Sequence, residues 1–179
     1  MTQQATRAKQ IFTGHYGNYF QMHREGNYEE YKTYEITKEQ ETAWYAELIE
    51  MNVNGLSIRN WDAVIQLLLV AKNYPDSRIL DGIIAFASRH VMSSDSIVKL
   101  MYAEHIIEII KLVKSKAEIE LLHRAYKTAA QILDDVMSKP LIVDPGHDLQ
   151  SLGLKDKRSL NLRAGKNIEV IKELLASDH

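Results

Sequence analysis

Between positions 56 and 138 apolar residues recur at the three- and four-residue spacing of amphipathic helices. Ser57 reads as an N-cap, with Leu56 and Trp61 at the two positions of a hydrophobic staple. The helix from about 60 to 74 turns Trp61, Val64, Ile65, Leu68 and Val70 inward and sets Asp62, Gln66 and Asn73 on a polar stripe, until Pro75 stops it. A second helix, about 77 to 91, buries Ile79, Leu80, Ile83, Ile84, Phe86 and Ala87; Arg78, Asp81, Gly82, Ser88 and Arg89 take its other face. The third, about 97 to 113, is apolar nearly all round, with a narrow polar stripe through Glu104, Glu108 and Lys111, so it is expected to be covered on several sides. Ser115-Lys116-Ala117-Glu118 matches a capping box, and the fourth helix follows to about 137 with Leu121, Leu122, Ala125, Ala129, Ile132, Leu133 and Val136 on one side.

The flanking regions are less regular. Thr37-Lys38-Glu39-Gln40 is a second capping-box match, opening a helix to about 53 that carries Trp44, Tyr45, Leu48, Ile49 and Met51. Asn54-Gly55 is expected to end it, since both residues tolerate positive φ. Asn18 to Glu25 and Asn27 to Tyr34 read as short helices interrupted at Gly26. Pro140 to Gly165 lacks periodicity and reads as a long irregular segment before a last helix. No stretch alternates strictly, and Leu141-Ile142-Val143 is the one β-like triplet. The expectation is an all-α chain forming a single domain over 1–179: aromatic-rich helices in 1–55, core hairpins in 56–138, and a loop with a final helix in 139–179.

A shift of 42 residues lays the first helical pair on the second: Val64 on Ile106, Ile65 on Ile107, Leu67 on Ile109, Leu68 on Ile110, Val70 on Leu112, and through the turn Ile79 on Leu121, Leu80 on Leu122, Ile83 on Ala125 and Ala87 on Ala129. In spacing this resembles HEAT or armadillo repeats. The resemblance implies antiparallel hairpins stacked as a short α-solenoid. The alternative is an irregular helical bundle.

Composition narrows function mostly by exclusion. There is no cysteine, which removes disulfides, thiolate catalysis and thiolate zinc sites. A net charge of −2 gives no general attraction to nucleic acid. The polar start has no apolar core of a secretory signal, and no apolar run approaches a membrane span, so a cytoplasmic location without membrane contact is expected.

Four features could carry chemistry. Tyr16, Tyr19, Phe20, Tyr28, Tyr31, Tyr34, Trp44 and Tyr45 crowd the first 45 residues; of these, Tyr28, Tyr31 and Tyr34 lie three apart with charged neighbours, a pattern suited to a protein interface or to core. His105-x-x-Glu108 and Glu120-x-x-His123 offer half of what a di-iron carboxylate bundle uses, one of them in reversed order, which leaves a metal-dependent helical enzyme as an alternative. His147-Asp148 resembles the dipeptide of HD phosphohydrolases over these two residues alone; here it follows Pro145-Gly146 in a loop rather than lying inside a helical core. Lys155, Lys157, Arg158, Arg163 and Lys166 form a basic stretch that could meet an acidic partner or, as a further alternative, nucleic acid. The reading that follows is a non-enzymatic protein-binding module: an adaptor, a regulator or a toxin-neutralising immunity-type protein. It needs no cofactor, metal or catalytic residue. Its candidate interface is Tyr28, Tyr31, Tyr34, Lys155, Lys157 and Arg158, and its partner is another protein, with a second copy of the chain as one candidate and nucleic acid disfavoured.

Overall fold

A computed structural model describes residues 2–178. Among them nine α-helices follow in order: α1 (Gln3–Gly14), α2 (Tyr19–Arg24), α3 (Tyr28–Thr33), α4 (Lys38–Asn54), α5 (Asp62–Asn73), α6 (Ser77–His90), α7 (Ser96–Val113), α8 (Ile119–Ser138) and α9 (Lys157–Ser177). No strand occurs among the described residues, so the all-α expectation holds. No helix there is long and apolar enough to cross a membrane.

Local chemistry explains most of the boundaries. Six helices start on a side chain that accepts a bond from an otherwise unpaired amide of the first turn: Thr2, Asn18, Thr37, Asp76, Asp95 and Asp156. Thr37 and Gln40 close the expected capping box. Other expectations fail. Ser57 does not cap α5: its hydroxyl turns back to the Arg59 amide, and Trp61 sits at the cap with no side-chain bond. Ser115 lies in a 3-10 turn, Lys114–Lys116, and α8 starts after Glu118. Gly55 ends α4 at a φ of −89°, so its freedom to adopt positive φ is not used. The first helix, α1, carries only Ala8, Ile11 and Phe12 as buried anchors and was hidden by its polar surroundings. The irregular segment is shorter than expected, because Asp156 starts α9 nine residues before Gly165.

The core is organised around α7, which packs against α5, α6, α8 and α9. Its run from Ser96 to Ala103 is buried without a break, as its apolar circumference requires. α5 also meets α4, α6 meets α8 and α4, and α8 carries α9 on its outer side. The burial extends to an ion pair: Lys99 Nζ donates to Asp135 Oδ2 at 2.6 Å, with both side chains 8 % exposed, and Lys139 reaches Asp135 Oδ1 at 2.7 Å. α9 is tied down by Arg163, whose guanidinium grips Glu104 at 2.7 and 2.8 Å, and by Lys157, whose ammonium donates to the Val136 carbonyl. The N-terminal helices form a separate corner: α1 rests on α4 and α3, and α2 on α3.

Candidate interaction surface

The corner is built on Phe12 of α1. Its ring lies 6.2 Å from Tyr31, 5.4 Å from Trp44 and 4.8 Å from Tyr45. The turn from α1 into α2 runs through Tyr16 and Gly17, both at positive φ. A β-carbon at Gly17 would stand 1.9 Å from the Tyr45 hydroxyl oxygen, so this position demands glycine twice over. Asn18 then caps a helix of six residues that buries only Met22. The rest of α2 faces outward. Phe20 is 68 % exposed and Tyr19 46 %, and the Arg24 guanidinium covers one face of the Phe20 ring at 5.1 Å. Tyr28 stands 5.9 Å from Tyr19 and 6.1 Å from His23, while Lys32 Nζ sits 5.3 Å from the Tyr28 centroid. The outcome is an exposed aromatic patch with a cationic rim.

Two carboxylates hold the patch in place. Tyr19 and Tyr31 both donate their hydroxyls to Glu41 of α4, Tyr31 at 2.6 Å. Burial, then these bonds to a carboxylate, push both phenols well above their ordinary range, so both stay protonated donors. Glu30 accepts two bonds from Arg7 and one from Tyr34. The bond from Arg7 and then that from Tyr34 hold its carboxyl down at about 2.

The three tyrosines singled out from sequence therefore divide. Tyr31 is buried at 5 % exposure and belongs to the core, which corrects its assignment to the surface; Tyr28 and Tyr34 are half-buried at the margin. Three-residue spacing advances the helix by about 300°, so the outer rings sit about 60° to either side of the middle one. When the middle ring points inward, its neighbours straddle the boundary. The most exposed rings, Tyr19 and Phe20, come instead from the helix before. Asn18 as a cap and a single inward Met22 were the signals that could have oriented them.

The basic stretch also divides. Lys155 and Arg158 are exposed, but Lys157 is turned inward and Arg163 is consumed by Glu104 and the Leu152 carbonyl, so the five cations make no continuous patch. The carboxylate and histidine pairs stay apart as well. His105 is bonded to the Met101 carbonyl, Glu108 pairs with Lys111, and Glu120 and His123 are exposed. Among the described residues the one grouping with metal-ligand spacing is Asp95, Asp144 and His147. Asp95 is already filled there, accepting from the Val98 amide, the Asp144 amide and His147 Nδ1. Asp95 thus ties the start of α7 to the segment carrying Asp144 and His147. Asp148 turns to the Ser151 amide and takes no part.

No protein-family model, no curated protein and no solved structure matches this chain. Function is therefore read from the surface itself. The patch offers rings with little rotamer entropy to lose, polar tips and flanking charge. Rings of this kind are frequent at the centres of protein interfaces.

Proposed function

We propose that this chain is a non-enzymatic protein-binding module of helical-repeat type, acting as an adaptor, regulator or immunity-type protein, and that it engages its partner through the α2–α3 corner. The observation that carries this reading is Phe20: a phenylalanine 68 % exposed, next in sequence to a second ring 46 % exposed, on a short helix anchored by Met22. An isolated exposed ring needs no explanation, but two consecutive ones, the first backed by Tyr28, make an anchor of the kind found at interface centres. The repeat reading is supported by the way α5 lies on α7 and α6 on α8, as stacked hairpins would. The basic stretch supports nucleic-acid binding less well than its composition implied, because two of its five cations are engaged within the fold.

Placing a photo-crosslinking residue at position 20 and, as a control, at the exposed position 120 tests the reading. Adducts to one discrete protein from position 20 alone are expected, and Phe20→Ala should weaken that complex by about 2 kcal/mol while changing stability by no more than about 0.5 kcal/mol. Equal crosslinking from both positions would sink it.

A further inference from the structure

After α8 the chain runs from Pro140 to Asp144 without a turn or bend. Ile142 is fixed on both sides: its amide donates to Ser96 Oγ at 3.0 Å, and its carbonyl accepts from the Ser96 amide at 2.9 Å. Asp144 donates its amide to Asp95 at 2.9 Å. In extended chain the backbone groups of successive residues point to opposite sides. Positions 142 and 144 thus face the N-terminus of α7, and positions 141 and 143 face away. Among the described residues the amides and carbonyls of Leu141 and Val143 make no bond within the protein. The side chains are exposed too, at 37 % for Leu141, 57 % for Ile142 and 38 % for Val143. Three consecutive aliphatic β-formers on a free backbone edge form a template for another strand.

The edge is complementary to itself. Set antiparallel about a two-fold axis at Ile142, Leu141 of one copy lies opposite the partner's Val143, and Val143 opposite the partner's Leu141. Both are hydrogen-bonded pairs, each exchanging two bonds, so all four free donors and acceptors on each copy are satisfied. Ile142 meets its counterpart at the non-hydrogen-bonded position, where side chains approach most closely. Pro145, whose missing amide would have faced outward, stops the pairing there and prevents a longer ladder. We infer that the Leu141–Val143 edge pairs two copies of this chain into a closed, two-fold dimer, through a surface separate from the α2–α3 corner.

Sedimentation of the intact chain across a dilution series, up to submillimolar concentration, tests the inference together with residue-resolved amide exchange. The expected result is a monomer–dimer equilibrium in which the Leu141 and Val143 amides become protected as concentration rises. Val143→Pro deletes an amide that the monomer does not use, and the preceding Ile142 is already extended. It should weaken association at least about tenfold with the helical signal unchanged. Val143→Lys, which sets like charges against the pair, should do the same and decides the matter if the proline variant misfolds. A wild-type chain that stays monomeric throughout, variants that associate as the wild type does, or exchange at these two amides that ignores concentration would each overturn it.

Discussion

The buried pair between α7 and α8 makes an asymmetric prediction. Among the described residues Asp135 has two ammonium partners, Lys99 at 2.6 Å and Lys139 at 2.7 Å, whereas Lys99 has only Asp135. Lys157 lies close enough that burial, followed by the charge of Lys99, lowers its pKa. Asp135→Asn therefore strands a buried ammonium near a second cation, and the loss should be about 3–5 kcal/mol, the range for breaking a buried pair from one side. Lys99→Met removes the other half but leaves the carboxylate held by Lys139, whose side chain is 60 % exposed, so its cost should be about 1–2 kcal/mol. Replacing both, with Lys99→Met and Asp135→Leu, should return stability to within about 1 kcal/mol of the wild type, since an apolar pair avoids desolvation altogether. Urea midpoints at constant slope measure all three. A cost for Lys99→Met equal to or greater than that for Asp135→Asn would refute the account. The pH dependence has a definite sign. Burial pushes the Asp135 carboxyl up, but its bonds to Lys139 and Lys99 outweigh this and hold it below 3.8. Its contribution is thus present above that value and lost as pH falls through the depressed one.

Two further outcomes are expected. Ile107, 1 % exposed at the centre of α7, should cost roughly 2–5 kcal/mol on truncation to alanine, and an unchanged denaturant midpoint would show that α7 is not the core. His147 bonds to Asp95, which raises its pKa above 6.5, so its contribution should be complete below pH 6.5 and fade as pH rises through the raised value; the stability gap between wild type and His147→Ala, followed by thermal melts over that window, should shrink toward high pH, and a gap that widens would reverse the assignment.

The helices from α5 to α8 were legible because each carries an apolar stripe several turns long and Pro75 and Pro140 punctuate it. Caps were legible only where one candidate stood alone, as at Thr37. Ser57 and Ser115 matched the pattern, but Asn60 and Glu118 lay within reach, and local pattern cannot choose between neighbours. Gly165 misled in the same way: it sits inside α9 with open space around it, so a residue that usually breaks helices was tolerated at modest cost. Asp95 with His147, Glu104 with Arg163 and Lys99 with Asp135 join residues 52, 59 and 36 positions apart, and nothing local in their spacing announces them. Of the candidate surface, the aromatic concentration was legible, whereas its outward face depended on which ring of three happened to meet Phe12.

The attachment of the N-terminal corner has a kinetic consequence. α1, α2 and α3 rest chiefly on one another and on α4, with Asn73 adding one bond to the Tyr16 carbonyl, whereas α7 is clasped by four helices. Slow amide exchange should accordingly divide the chain in two: α7 protected up to the free energy of global unfolding, and α1–α3 opening as a unit at far lower cost. A ligand gripping Tyr19 and Phe20 would bind only the closed form of that unit. Its apparent affinity would therefore be set jointly by the contacts it makes and by the fraction of time the corner stays shut.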